Sequence, residues 1–506
     1  MKAVTGAEMG EIDSLSQKEF GIPSLVLMEN AGQKAWQILC REMQFPPDRR
    51  LLLTFVAGKG NNGGDALVMA RAAFLERQVD VSVVLAAPSL KGDAETNRAA
   101  CAALGIPAAT LEEDPNAVSE QLSHSDWIVD GVSGTGITGA LRSPLSDLVE
   151  LINHAAEKGA RVAAVDVPSG IGDDFTGDRL TINADVTLTM GLPKRCLYLP
   201  LARPRCGRVH TVPLGFPFAL TEAETLQTDI PGPEELSRLL PTLSRTTYKN
   251  RRGVVAVFGG AEGTTGAPLL AATACGRSGA GLVRIFADRD VYPVIAAHGR
   301  SIMVSPLEAE LPQLDGYSAL VVGPGWGRKP ERREMLEQLV ATGLPGVADA
   351  DALNVLSDMH AETGSMMSFG GRWVLTPHPG ECARLAAVSS KEVVSHPFKT
   401  GSRLAGMSNA VVVLKGHVTY IFEPSGACHI VDGMEPAMAT GGSGDVLSGV
   451  IGAFLGRGLS PRDAAIAGVL LHVQAGSELF RRAGWFLSED LLPLLSELLA
   501  RYQKIG

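Results

Sequence analysis

Four polar clusters in the first half of the chain follow short apolar runs. Asn61, Asn62, Gly63, Gly64 and Asp65 come after LLLTFVAG, and Asp130 sits in VDGVSGTG. Asp166 and Ser169 share VDVPSG, and Lys194 closes GLPK. An Asp–Gly or a Pro–Ser–Gly is usually plain turn chemistry. In open α/β sheets, however, ligands collect beyond the carboxyl ends of the strands, so four clusters at successive strand ends point to one site. Bare glycine backbone offers N–H groups to phosphates, and carboxylates offer proton transfer. The second half has its own candidate in ATGGSGDVLSG, where Gly441, Gly442 and Gly444 lead into a helical pattern starting near Asp445. A glycine-rich helix start suits a developing phosphoryl charge, and an aspartate there can take a proton from a hydroxyl under phosphorylation. The plainer use of such an aspartate is as a helix N-cap.

GKGNNG also matches G-x-G-x-x-G at Gly58, Gly60 and Gly63. In a dinucleotide fold an acid for the ribose should end the second strand. Here Asp80 begins it, which argues against ordinary dinucleotide binding. GxxxxGK[ST] is absent, which excludes a Walker-type NTPase.

The elements that must position these residues form two α/β series. Strands are expected at 51–58, 80–87, 127–132, 161–167 and 185–191, with helices over 66–78 and 143–159. The second helix reads as having a serine cap and a proline in its first turn. A proline- and acid-rich stretch, 213–241, breaks the rhythm. It gives an expected division into 1–220, a linker at 221–234 and 235–506. The second series has strands at 253–260, 281–287, 319–325, 346–351, 372–378, 410–416 and 418–423. The last two meet at a glycine as a hairpin, and helices follow over 443–456 and 461–479. Short apolar strands alternating with helices mean mostly parallel sheets covered on both faces, an α/β fold in each half.

Composition bounds the rest. The 506 residues suggest two to four domains. A net charge of -10 argues against a chain held to nucleic acid by phosphate contacts. Seven cysteines without a CxxC pair read as free thiols in a reducing cytoplasm. MKAVTGAEMGEIDSLS has no apolar core, so no signal peptide is expected. The most apolar stretch, 464–471, is too short for a membrane span. Cytoplasmic localisation, small-molecule substrates, no nucleic-acid or membrane partner and a homo-oligomer are the expectations.

LMENAG, GKGNNGGDALVMAR, VDGVSGTG and DVPSG together resemble the NAD(P)H-hydrate epimerase domain, a Rossmann-like three-layer αβα fold, over about residues 5–215. Ala66 departs from the glycine usual after the acid. The resemblance implies that Asn61 to Asp65 line the ligand. Gly134, Thr135, Gly136, Ile137, Thr138, Gly139 and Ala140 would cradle its phosphates as a second turn at a helix start. It also implies that Asn62, Asp130 and Ser169 bind potassium and that Asp166 transfers the proton. Lys194 is either a helper or a solvated lysine after a proline.

GGAEGTTGAP, GPGWG, DADALN, TPHPGE, LKGHVT and GGSGD resemble the ADP-dependent NAD(P)H-hydrate dehydratase domain, of ribokinase-like fold, over about residues 235–500. Ser443 replaces the more usual threonine. The resemblance implies that Lys415, Gly416, His417, Val418, Thr419 and Gly444 hold ADP. Gly266, Gly325, His378 and Asp445 would face the hydrated nicotinamide, with Asp445 as base. Glu381 would orient His378 or a magnesium ion.

The implied function is repair of hydrated NADH and NADPH. The first half would interconvert the R and S hydrates. The second would dehydrate the S form with ADP, giving NAD(P)H, AMP and phosphate. Two alternatives stand beside it: a vitamin-precursor kinase in the second half, and a non-catalytic binding domain or scaffold in the first.

Overall fold

The computed structural model describes residues 1–76 and 79–506. It divides into two compact units, Met1–Leu226 and Gln227–Gly506.

Among the described residues the first unit has seven strands: β1 Leu51–Ala57, β2 Val79–Leu85, β3 Ala108–Thr110, β4 Trp127–Gly131, β5 Arg161–Val165, β6 Val186–Met190 and β7 Arg208–Val212. They form one sheet in the order β3-β2-β1-β4-β5-β6-β7 with every pair parallel. Its helices are α1 Gly6–Lys18, α2 Ser24–Glu42, α3 Asn61–Glu76, α4 Gly92–Ala103, α5 Pro115–Ser123, α6 Leu145–Glu157 and α7 Phe218–Thr221. Side chains alternate across a strand, so each strand feeds two layers. Leu53, Phe55 and Ala57 of β1 and Val129 of β4 join Trp36 of α2 and Leu67 of α3 in one buried cluster. Val56 and Ile128, on the opposite face, pack with Leu148, Val149 and Ile152 of α6. This is a three-layer αβα unit. Its chain reverses direction across the sheet between β1 and β4, the place where such sheets open a crevice.

The second unit has ten strands: β8 Thr228–Asp229, β9 Val254–Phe258, β10 Leu282–Asp288, β11 Met303–Leu307, β12 Ala319–Val322, β13 Gly346–Ala348, β14 Trp373–Leu375, β15 Val411–Leu414, β16 Val418–Phe422 and β17 Cys428–Asp432. The order is β11-β10-β9-β12-β13-β14-β15-β16-β17-β8. Pairs β15–β16 and β16–β17 are antiparallel, and the others are parallel. The helices are α8 Glu235–Leu239, α9 Gly266–Arg277, α10 Tyr292–Gly299, α11 Arg332–Ala341, α12 Asp351–Thr363, α13 Pro379–Ala386, α14 Ser390–Ser395, α15 Pro397–Ser408, α16 Ser443–Gly456, α17 Pro461–Ala483 and α18 Ser488–Tyr502. Every residue from Val446 to Gly456 of α16 is buried, so this helix runs through the core. The apolar stretch 464–471 lies buried in α17. Among the described residues no helix is long and apolar enough to cross a membrane. None of the seven cysteines forms a disulfide among the described residues.

Several local expectations change. The helix expected over 66–78 starts at Asn61, so the glycine-rich segment is its first turn; positions 77–78 of that expectation lie outside the described residues. Ser143 does not cap α6: the N-cap is Pro144, without a side-chain bond, and Ser143 Oγ donates to Asp147 Oδ2 at 2.7 Å instead. Residues 228–229, inside the expected linker, pair with β17 at the edge of the second sheet.

Candidate functional sites

The first site lies at the β1/β4 crevice. Asn62, in the first turn of α3, donates from Nδ2 to Val165 O at 2.7 Å and to Ser133 O at 3.1 Å. This ties the helix start to the end of β5 and the loop after β4. Gly134 lies against the other end of that amide: a Cβ at 134 would sit 2.5 Å from Asn62 Oδ1. Asp130 is fully buried. Its Oδ2 accepts from Ser169 N at 2.9 Å, and its Oδ1 accepts from Ser169 Oγ at 2.6 Å and Val132 N at 3.1 Å. Ser169 Oγ in turn accepts from Ser133 N at 2.8 Å. Burial pushes the Asp130 carboxyl up to about 6, against the pull of the Ser169 and Val132 bonds.

Asp166, just past β5, adopts φ 66, a backbone state that a non-glycine residue seldom holds. Its Oδ1 accepts from Met190 N at 3.0 Å and Thr189 Oγ1 at 3.4 Å, and it pairs with Lys194. Lys194 is only 1% exposed and also donates to Met190 O, so it is not a solvated lysine after a proline. The N-terminal segment holds it in place: Val4 N donates to Pro193 O at 3.0 Å, and Arg195 N to Val4 O at 2.8 Å.

Asn62, Asp166 and Lys194 open onto one cavity of about 930 Å³, also lined by Asn61, Gly63 and Asp65, whereas Asp130 and Ser169 are buried and do not reach its lining. Lys59 and Lys91 stand on its wall, cations suited to a phosphate-bearing ligand. Gly64 packs against Met28 instead of lining the cavity. Gly134, Thr135, Gly136 and Ile137 reach it; Thr138, Gly139 and Ala140 do not. The 134–140 segment is not a turn at a helix start, since α6 begins at Leu145, and the Gly139 amide is already given to Asp174 Oδ2 at 3.0 Å. Residues 141–144 lie between this segment and α6, so its backbone amides are not the helix's free N–H groups. Sequence reasoning missed the wall supplied by Met9 and Asp13 of α1, Met28 of α2, and Phe216. Met28 lies in the LMENAG segment but was given no role, and no motif marks the other three, which reach the site through packing.

The second site gathers the ends of β13 and β15 with the start of α16. Lys415 Nζ donates to Asp349 Oδ1 at 2.8 Å, and Asp349 is 2% exposed. Gly444 leaves room for that pair: a Cβ there would lie 3.3 Å from Lys415 Nζ and 3.9 Å from Asp349 Oδ2. Asp445 is in the first turn of α16, but the N-cap is Gly442 and α16 begins at Ser443, so Asp445 is not spent as a cap. Burial, then the Asp349 charge, pushes Asp445 up to about 7; Lys415 opposes this and Asp351 adds to it. Burial pulls Lys415 down, yet Asp349, Glu381 and Asp445 together hold it above its ordinary value. Glu381 is raised by burial against the pull of Lys415.

His378 and Glu381 form a capping box on α13. His378 Nδ1 accepts from Gly380 N at 3.0 Å, and His378 N donates to Glu381 Oε2 at 2.9 Å. The His378 side chain is half-exposed, with one ring nitrogen spent on the cap. Gly325 O accepts from Gly260 N and Ala261 N, both at 2.7 Å, which joins the loops after β9 and β12. Gly266 opens α9. Gly416 and His417 are exposed at the β15–β16 turn, whereas Val418 and Thr419 are buried in β16, with Thr419 Oγ1 donating to Gly416 O at 3.2 Å. Asp349 was not among the expected site residues. Its signal was the same as that of Asp130 and Asp166, an acid just past a short apolar strand. The next residue, Ala350, holds φ 46, a second strained turn beside a buried acid.

Two α/β units, one built on an all-parallel sheet and one on a mainly parallel sheet, each bearing buried acids at its strand ends, define a two-domain enzyme. Residues 255–498 match the family model described as NAD(P)H-hydrate dehydratase, and residues 24–196 match that of the YjeF-related protein N-terminus. The bifunctional NAD(P)H-hydrate repair enzyme Nnr of Moorella thermoacetica is 35% identical over 526 residues, covering 100% of this chain and 98% of that protein. The enzyme of the same name from Coxiella burnetii is 35% identical over 95% of this chain and 96% of its own length. A solved Bacillus subtilis ADP/ATP-dependent NAD(P)H-hydrate dehydratase, co-crystallised with ATP and Mg2+, is 26% identical. It covers 54% of this chain and 99% of its own, with a TM-score of 0.49. The chain belongs to the family of bifunctional NAD(P)H-hydrate repair enzymes.

Proposed function

We propose that the first unit interconverts the two epimers of hydrated NADH and NADPH, and that the second dehydrates one of them at the expense of ADP. The observation that carries this reading is the presence of a separate buried acid–lysine constellation in each unit: Asp166 with Lys194, and Asp445 with Asp349 and Lys415. Water adds to a dihydronicotinamide ring, an enamine, at the carbon bonded to nitrogen. Inverting that carbon needs a proton acceptor, and Asp166 is placed for it. Three donors converge on its Oδ1, and no described hydrogen bond reaches Oδ2.

In the second unit Asp445 takes the ring hydroxyl proton as the oxygen attacks the terminal phosphorus of ADP. The phosphorus–oxygen bond to AMP breaks, phosphate then leaves the ring carbon, and loss of a proton from the neighbouring carbon restores the double bond. Lys415 and the α16 amides face the charge on the transferring group. Gly266, Gly325 and His378 border the nicotinamide, and the 415–419 turn with Gly444 borders the nucleotide.

Asn62, Asp130 and Ser169 form an all-oxygen donor set around a carboxylate that burial has left poorly solvated, which fits a potassium ion. That ion would supply positive charge beside the ligand phosphates. Among the described residues no three His, Cys, Asp or Glu side chains are grouped to hold a metal. A magnesium ion carried by the nucleotide phosphates needs only one or two carboxylates, and Glu381 and Asp349 would supply them. The test is incubation with hydrated NADH, with and without ADP. Recovered absorbance with release of inorganic phosphate supports the reading, and a stable phosphorylated product supports a kinase instead.

A further inference from the structure

We propose that Asp65 is a second catalytic residue of the first site, the acid that protonates the ring hydroxyl, with Asp166 as its partner base. The proposal rests on the epimerase reading of that unit and assigns Asp65 more than ligand contact.

Asp65 is 7% exposed, lies in α3 and lines the cavity. No hydrogen-bond donor among the described residues reaches its carboxyl, although buried carboxyls normally find one. Asp130, buried in the same unit, takes three bonds, and Asp166 takes two beside its ion pair. Asp65 is therefore a buried acid whose polar atoms have the cavity as their remaining outlet. Its charged surroundings come from three elements: Asp166 past β5, Lys194 before the turn at 195–198, and Asp13 on α1. Burial and then the Asp166 charge raise Asp65 well above its ordinary value, with Lys194 opposing and Asp13 adding. Two carboxyls in one cavity, one ion-paired and one buried without a donor, are the arrangement that divides acid from base.

The chemistry balances without a further reagent. Asp65 gives its proton to the hydroxyl oxygen, and the carbon–oxygen bond breaks with its electron pair going to oxygen. Water leaves as the ring nitrogen lone pair closes a carbon–nitrogen double bond. A water adding to the opposite face loses its proton to Asp166, and the double-bond electrons return to nitrogen. Asp65 is then a carboxylate and Asp166 an acid. The reverse epimerisation, or exchange with solvent in the open cavity, resets the pair.

The test uses the full chain, the separated NADH hydrates and water enriched in oxygen-18. The wild type should place solvent oxygen on the ring carbon once per inversion, above the uncatalysed rate. Asp65→Asn keeps the shape but has no acid proton. It should lose about 10²–10⁴-fold in kcat for epimerisation, with KM within about threefold. Exchange should be lost in parallel, and ADP-dependent dehydration should be unchanged. If Asp65→Asn loses the first unit's fold, the wild-type label decides: inversion that retains the original oxygen overturns the proposal. Asp65→Asn with more than about a tenth of wild-type kcat, or with its loss in KM alone, also overturns it. A wild type that does not epimerise at all removes the functional reading beneath it, a different result from active wild type with active Asp65→Asn.

Discussion

Replacing Asp445 with asparagine should stop dehydration while stabilising the second unit, and both effects come from the same environment. A carboxyl raised from 3.8 to about 7 is shifted by about 3 pH units. At 1.36 kcal/mol per unit this bounds the cost of its charge at about 4 kcal/mol. The sign follows from proton linkage. The folded state binds the proton more tightly than the unfolded chain, so stability falls as pH rises from about 4 to about 7 and is flat above. The asparagine side chain cannot ionise and escapes that loss. Asp445→Asn should therefore unfold at higher denaturant than wild type at pH 8, with the gap shrinking toward pH 5. Loss of a general base costs about 10²–10⁴-fold, roughly 3–5 kcal/mol of barrier. Wild-type kcat/KM for dehydration should rise about tenfold per pH unit below 7 and level off above. The assays are urea unfolding at several pH values, nucleotide binding by calorimetry, and NADH recovery. A variant with more than half the wild-type turnover, or with the same stability gap at pH 5 and pH 8, would refute the reasoning.

Three further outcomes are expected. Lys194→Met leaves Asp166 buried without its ion pair, so it should destabilise the first unit by about 3–5 kcal/mol and slow epimerisation, with dehydration unaffected; denaturation and separate activity assays check this. Asp130→Ala should remove the dependence of epimerisation on potassium along with most of the activity; full activity at every potassium concentration would misplace the cation site. Cutting between Leu226 and Gln227, at the boundary of the two compact units, should give two soluble fragments, the first able to epimerise only and the second to dehydrate only. Product analysis of each fragment decides that.

The central strands were legible because each is a short β-branched run buried on both faces, and β4 and β6 have no exposed residue. The edges were not. β3 has three residues, β7 is half-exposed, and β11 contains Pro306, tolerated there because an edge strand needs fewer ladder bonds. Asn61 to Asp65 read as a loop because asparagine and glycine are poor helix formers. The residues become the first turn of α3 where Asn62 bonds to the ends of two other strands, a tertiary effect that propensity does not contain. The strand-end acids could be picked out one by one, but the pairing of Asp166 with Lys194, and of Asp349 with Lys415, is made by chain segments 28 and 66 residues apart. Lys194 could be read as either a helper or a solvated lysine because nothing near it in sequence shows that Val4 closes over its turn.

The division of labour between the units is tested most directly by Asp166→Asn in the intact chain, given an equal mixture of the two hydrate epimers and excess ADP. Following each epimer by chromatography, the account predicts that wild type converts both to NADH. The variant should consume one and stall with the other left over, beyond its slow uncatalysed inversion, and adding the separate first unit should restart the reaction. Consumption of both epimers by Asp166→Asn at the wild-type rate would contradict it.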